Sequence, residues 1–415
     1  PMSNKIAWIW GSHPLLACAE LYAQDRLNLD TFFAFNQHGL VCKSDQTMAP
    51  LDQFGSLTRQ VEVFQAIANP VQTTDLSCLI ADYLSSNTSK KVTFGLSIFD
   101  QTGLWNQENE NLCQLVKHNL SQKGLKSRYL LPGSANQLNA AQVISNQLHL
   151  SPRAAEIVLL CQVDKCFIGQ TRQIQDINRY RQRDEGRPYR IHQEGMLPVK
   201  LAQIMLNLAQ VKPGQSMILD PFCGSGTILQ EALYKSCPVV GTDLSRPSLE
   251  KCRANLRWFT RHQQTVQRDW TNPGFQLFDY DAKRVADLFA PSSFDAIVTE
   301  GYLGQLFSQS PSDQSINQEL NQLSQLYKAS LRSLFTLLKP SARLVICLPY
   351  YLQSKRSLLK LIVDDIQKIG YNHLSLLPLE MAQHLRQQTD QDFHSYIYSR
   401  PGQIVGRQII ILQKP

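Results

Sequence analysis

Two glycines and a pair of aspartates hold the most readable chemistry in this chain. The run Met217-Ile-Leu-Asp-Pro-Phe-Cys-Gly-Ser-Gly-Thr227 is an apolar strand ending in Asp220, a tight glycine turn and a helix start near Thr227. Pro238-Val-Val-Gly-Thr-Asp-Leu244 then reads as a second buried strand ending in Asp243. Strand, glycine loop, helix, strand, acid is a Rossmann-like ligand site. The glycines admit a ligand close to backbone, and the acid accepts from ribose hydroxyls. No Gly-Lys-Ser/Thr follows the glycines, which excludes an ordinary P-loop. A dinucleotide fold needs a third glycine where Leu229 stands. Further on, Phe294-Asp-Ala-Ile-Val-Thr-Glu-Gly-Tyr-Leu-Gly304 reads as another buried strand followed by a loop that carries Glu300, Gly301 and Tyr302.

The remaining ligand for such a loop is S-adenosylmethionine, which has no pyrophosphate to seat on a helix N-terminus. Asp-Pro-Phe-Cys-Gly-Ser-Gly-Thr closely resembles the first motif of amino-group methyltransferases that act on nucleic-acid bases. The resemblance implies a donor site built from Asp220, Phe222, Gly224, Gly226 and Thr227, with Asp243 and Leu244 at the ribose. It implies an acid near the adenine amino group, for which Asp281, followed by Ala282, is the better candidate. Asp279 competes, and both residues suit a helix N-cap instead. These families carry Asp/Asn-Pro-Pro-Tyr/Phe where Glu300-Gly301-Tyr302 stand here. There the Asp/Asn side chain and the following backbone carbonyl accept from the base amine, and the aromatic stacks on an extruded base. Glu300 can still accept, Gly301 frees φ where a proline would fix it, and either Tyr302 or Leu303 holds the aromatic position.

The 415 residues suggest two or three domains, and 43% apolar content supplies cores for them. No apolar run approaches the roughly 18 residues of a membrane span. Ile6-Ala-Trp-Ile-Trp10 is too short for a signal peptide and reads as a first strand. The ten cysteines are scattered without a Cys-x-x-Cys pair, so buried reduced thiols, Cys161 and Cys166 among them, and a cytoplasmic location are expected. Net charge is only +7, but it is clustered. Residues 165–190 hold seven Lys/Arg against three acids, and residues 251–268 hold five and none. Two such clusters around a methyl-donor motif favour a nucleic-acid polyanion over a merely solvated face.

The elements before the glycine loop alternate short strands and helices. The middle region resembles a THUMP domain, an RNA-binding module of tRNA-modifying enzymes. Its carrying residues are Val92-Thr-Phe-Gly-Leu-Ser-Ile98, the helix Leu112–Gly124 with Lys117 and Lys123, Asn139-Ala-Ala-Gln-Val and Glu156-Ile-Val-Leu-Leu. Ile168–Ile177, Tyr180–Asp184, Arg187-Pro188, Gly195–Met205 and Tyr396–Arg407 resemble the corresponding segments of THUMP-bearing tRNA guanine-N2 methyltransferases. The expected organisation is a ferredoxin-like α+β domain over 1–60, a THUMP-like domain over 61–170, a basic linker over 171–195 and an α/β Rossmann-like methyltransferase domain over 196–415. The last should contain a seven-stranded sheet, parallel except for a strand reversed through the C-terminal hairpin. Lys117, Lys123, Arg172, Arg179, Arg181, Arg183 and Arg187 are the expected RNA contacts. The implied reaction is methylation of guanine N2 in tRNA, at position ten in the relatives. The rivals are a DNA or ribosomal RNA amino-methyltransferase, a small-molecule methyltransferase and a non-catalytic tRNA-binding protein. A small activator subunit is left open.

Overall fold

The computed structural model describes residues 5–27, 32–43, 50–86, 91–105, 107–133, 136–151, 153–190, 196–266, 270–305, 307, 309–386 and 393–415. Residues 191–195 of the expected linker and Arg268 lie outside these. The chain forms two compact units, one of residues 1–17 and 27–178, the other of 18–26 and 179–415.

The first unit contains β1 (Lys5–Trp10), most of its sequence neighbour α1 (Pro14–Ala23) excepted, then β2 (Phe32–Asn36), β3 (Gly39–Lys43), β4 (Leu57–Ala68), α2 (Thr73–Ser86), β5 (Lys91–Asp100), α3 (Asn109–Gln122), β6 (Lys126–Leu130), α4 (Ala140–Ser145), β7 (Ala154–Cys161) and β8 (Lys165–Ile174). These strands make one eight-stranded sheet in the order β2-β3-β1-β4-β8-β7-β5-β6. The expected domain boundary at residue 60 falls inside β4. That strand is twelve residues long and pairs antiparallel with β1 on one side and β8 on the other. Helices α2 and α3 cover one face through Leu76, Ile80, Leu112 and Val116, packed on Phe94, Leu96 and Ile157. A buried Arg59–Glu156 pair at 3.0 Å ties β4 to β7. Cys161 and Cys166 face each other across the β7–β8 hairpin and are joined as a disulfide, which corrects the expectation of reduced thiols at these two positions. Their five-residue separation brackets a tight turn, so antiparallel register brings them opposite one another. The other eight cysteines are free.

The second unit continues with α5 (Ile177–Glu185), α6 (Val199–Leu208), β9 (Ile218–Asp220), α7 (Thr227–Tyr234), β10 (Val239–Asp243), α8 (Arg246–Val266), β11 (Phe275–Asp279), β12 (Phe294–Glu300), α9 (Asp313–Leu337), β13 (Leu338–Tyr351), β14 (Arg356–Ser357), α10 (Leu359–Ile369), β15 (Asn372–Leu374), α11 (Leu379–Arg386), β16 (Tyr396–Tyr398) and β17 (Val405–Gln413). Seven strands run in the order β11-β10-β9-β12-β13-β17-β15, with β14 and β16 as short additions. Neighbours from β11 to β13 are parallel, and β17 is antiparallel to β13. The β16–β17 hairpin pairs Tyr398 with Arg407. Buried Leu219, Ile297, Leu344, Ile346 and Ile410 of the sheet pack on Tyr327, Leu331 and Leu334 of α9. The near-continuous apolar strands 294–299 and 344–348 follow from burial on both faces. Among the described residues no helix is long and apolar enough to cross a membrane.

Candidate active site

Strands β10, β9 and β12 lie side by side and parallel, so their C-terminal residues Asp243, Asp220 and Glu300 share one edge of the sheet. The chain reverses its direction of strand addition between β9 and β12, the place where open α/β sheets bind ligands. A cavity of about 940 Å³ opens there. It is lined at one end by the glycine loop, Asp243, Leu244, Asp281 and Ala282, and at the other by Glu300–Gln305 and Gly402–Val405.

The two loop glycines serve different ends. Gly224 has φ +51, and a Cβ built there meets no atom within 4 Å, so the loop leaves an open cradle toward the cavity. Gly226 has φ +88, and its Cβ would come within 2.6 Å of Cys252 Sγ. That glycine permits close packing of the loop on α8. The Gly224 N–H donates to Asp243 Oδ2 at 2.9 Å and the Ser245 N–H to Oδ1 at 2.8 Å, which fixes the orientation of the carboxylate. Thr227 lines the cavity, but its Oγ1 accepts from Arg187 Nη1 at 2.8 Å.

Asp281 caps the turn after it, accepting from the Lys283 N–H at 2.9 Å, and also lines the cavity. Asp279 is instead ion-paired with Arg246, outside the cavity lining. Asp281 therefore serves as the cap and also faces the cavity, whereas Asp279 does not line it.

Asp220 is 2% exposed. Thr299 Oγ1 donates to its Oδ1 at 2.6 Å and the Phe222 N–H at 3.2 Å. Burial pushes its carboxyl up to about 8, and the neighbouring Asp243 and Glu300 carboxylates add to the shift. Glu300 is raised by burial and lowered by Arg407, whose Nε donates to Glu300 Oε1 at 2.5 Å. Arg407, on β17, is 2% exposed.

Tyr327 of α9 explains why glycine stands where the related families carry proline. A Cβ at Gly301 would lie 2.0 Å from Tyr327 Oη, and that hydroxyl donates to the Tyr302 carbonyl at 3.0 Å. The Tyr327 ring also stacks on Phe222, with centroids 6.2 Å apart. One helix residue thus contacts both the glycine loop and the 300–305 loop. Gly304, at φ +94, is held by Glu319, which accepts from the Gln305 N–H at 3.0 Å. Tyr302 is 50% exposed, and both it and Leu303 line the cavity. Gly301→Ala is expected to destabilise the protein by about 1–3 kcal/mol through overpacking, read as a lower urea midpoint. Adding Tyr327→Phe should recover part of the loss, and an unchanged midpoint in Gly301→Ala would remove this account of the loop.

The expected RNA cations divide. Arg183 is buried, donates to Glu231 at 3.0 Å and lies 4.0 Å from the Tyr234 ring centroid. Arg187 is buried against Thr227 and Asp184. Neither reaches solvent, so both are corrected to structural roles beside the glycine-loop helix. Arg172 pairs with Glu62 at 2.6 Å, Lys123 with Asp82 at 2.7 Å and Arg181 with Glu185 at 2.7 Å. Lys117 is exposed above the Tyr129 ring, and Arg179 is exposed.

Residues 187–365 match the family described as RMKL-like, methyltransferase domain (UPF0020). The second unit carries a methyltransferase domain. The tRNA (guanine(10)-N2)-dimethyltransferase of Methanothermobacter thermautotrophicus is 37% identical over 106 residues, 26% of this chain and 27% of that protein. Its namesake from Pyrococcus abyssi is 28% identical over 153 residues, 37% of this chain and 39% of that one. The chain therefore matches only about a quarter to two fifths of the length of these relatives. The crystal structure of TrmN from Thermus thermophilus aligns over 99% of both chains with a TM-score of 0.52 at 16% identity, which shows a shared fold. The sequence marks the glycine loop but does not single out Arg407, Tyr327, Thr299 or Glu319, which the fold brings to the site. The only sequence signal for Arg407 was its place in the C-terminal hairpin motif.

Proposed function

We propose that this protein methylates the exocyclic N2 amine of guanine in tRNA, using S-adenosylmethionine. The observation that carries the reading is the single cavity running from the glycine loop to the Glu300 loop, with room for a donor and an inserted base. The open cradle over Gly224 and the fixed carboxylate of Asp243 suit the donor's backbone-close ribose end. Bound there, S-adenosylmethionine supplies a methyl group on a sulfonium; on transfer the sulfonium becomes a thioether and the amine nitrogen gives up one proton. The acids around the cavity favour this cationic donor. Glu300 accepts from the guanine amine while Arg407 holds its Oε1, and Tyr302 packs against the base. Positioning and acceptor alignment carry most of the acceleration, because the amine lone pair is delocalised into the ring.

The first unit is the RNA-binding half in this reading, THUMP-like over its middle region, with Lys117 among its contacts. The names of the matched relatives favour guanine ten as the target. A cytoplasmic location goes with this reading. Incubating an unmodified tRNA transcript with protein and methyl-labelled donor should yield N2-methylguanosine by nucleoside mass spectrometry. A transcript with adenine at position ten should yield none. Label in a different nucleoside, or only in ribosomal RNA, overturns the assignment.

A further inference from the structure

The second basic cluster of the sequence resolves into an ordered surface on α8. Arg253, Arg257 and Arg261 stand four residues apart, so they form one stripe over about 12 Å of helix. All three are exposed. Among the described residues none of the three guanidiniums has an ion-pair or hydrogen-bond partner, unlike those of Arg172, Arg181, Arg183 and Arg187 or the ammonium of Lys123. Glu250 is the acid of the same face, one turn before Arg253. The opposite face of the helix is committed to packing through buried Leu249, Cys252, Leu256 and Phe259.

The stripe is attached to the active site by rigid contacts. Asn255 accepts from the Tyr189 N–H at 2.9 Å and donates to the Tyr189 carbonyl at 3.1 Å and the Ser225 carbonyl at 3.0 Å. Ser225 belongs to the glycine loop, and Ser248, in the first helical turn, lines the cavity. Trp258 stacks on His262 with centroids 5.6 Å apart and lies within about 3 Å of a Cβ built at Gly186. The helix is therefore braced against the glycine loop and against the segment that follows α5. Three guanidiniums without ion pairs, facing a single acid on their side of a braced helix, are suited to successive phosphates. Arginine offers planar, bidentate hydrogen bonding to phosphate, and a chain-like polyanion gains by releasing counterions along the stripe.

We infer that the Arg253–Arg257–Arg261 stripe binds the phosphate backbone of the substrate RNA. This rests on the reading of the protein as an RNA methyltransferase. The test is the full chain carrying Arg253→Gln, Arg257→Gln and Arg261→Gln, compared with a control carrying Lys355→Gln, Lys360→Gln and Lys368→Gln. The control removes the same charge from exposed positions elsewhere. Binding of a tRNA transcript and of a ribosomal RNA fragment is followed by fluorescence anisotropy across a salt series. The stripe variant should weaken tRNA binding at least tenfold and lower the slope of log affinity against log salt by about two to three. The control should match wild type, and calorimetric donor affinity should be equal in all three proteins. An unchanged slope on every RNA that wild type binds overturns the inference, as does an equal loss in the control. A stripe-dependent slope on ribosomal RNA without tRNA binding upholds the stripe and rejects the tRNA reading. Binding of neither RNA by wild type rejects both.

Discussion

Arg407→Met is expected to lower methyl transfer about a hundredfold or more at pH 7 while leaving donor affinity close to wild type. The guanidinium is buried and its Nε donates to Glu300 at the edge of the cavity. Removing it leaves a carboxylate partly out of water without its counter-charge, a change that typically costs 3–5 kcal/mol, about the cost of breaking any buried pair. Burial already raises the Glu300 pKa, and Arg407 is what opposes that rise. Activity that needs ionised Glu300 is lost as pH falls through its folded-state pKa. Without Arg407 that limb of the pH–rate profile should move to higher pH, and raising the pH should restore part of the rate. Arg407→Lys, which keeps a charge, should shift the limb less. A purely structural pair predicts something else. Glu300→Leu with Arg407→Met removes both charges and leaves no side-chain acceptor at position 300, so it should recover much of the stability lost in either single variant. If the double variant also recovers turnover, Glu300 has no part in aligning the amine. If turnover stays low in a protein of near-native stability, the acceptor role stands.

What was legible in the sequence, and what was not, follows from how far each determinant reaches along the chain. The glycine loop and Asp243 could be read because strand, turn and helix are adjacent, and each glycine answers a local backbone demand. The parallel strands could be read from short apolar runs ending in acids. Asp281 is the better candidate on sequence alone, but Asp279 remains a competitor there because the residue that engages it, Arg246, lies 33 positions away. Arg183 and Arg187 sit in a run rich in arginine that looks like a solvated cationic face. Their burial is decided by Glu231 and Thr227, 48 and 40 residues further on. The Glu300–Arg407 pair spans 107 residues, and nothing near either one announces the other. Gly301 looked like a loosened proline position. It is instead a tight one, because Tyr327 fills the space a side chain would need. The domain boundary expected at residue 60 falls inside a single long strand that carries two different partners.

Asp220 supplies the second large effect, because its carboxyl is held near 8 in a protein whose unfolded chain titrates it near 4. Between those values the folded state binds a proton that the unfolded state has released. Stability from this group is therefore full below about pH 4 and is lost as pH rises toward 8, at up to about 1.4 kcal/mol per pH unit for one proton. Asp220→Asn keeps the shape and removes the titration. Urea unfolding of the donor-free variant should show a shallower fall in stability between pH 5 and 8 than wild type, with the two curves separating most at the alkaline end. The same group should couple donor binding to proton release. S-adenosylmethionine is cationic, and a cation placed in the cavity beside Asp220 favours the ionised carboxylate. At pH 7 donor binding should then expel on the order of one proton from wild type, seen as a binding enthalpy that changes with the ionisation enthalpy of the buffer. In Asp220→Asn that dependence should largely vanish, and donor affinity should drop because the negative partner is gone. Equal proton release from both proteins would assign the titrating group elsewhere in the cavity, with Glu300 the first to be tested.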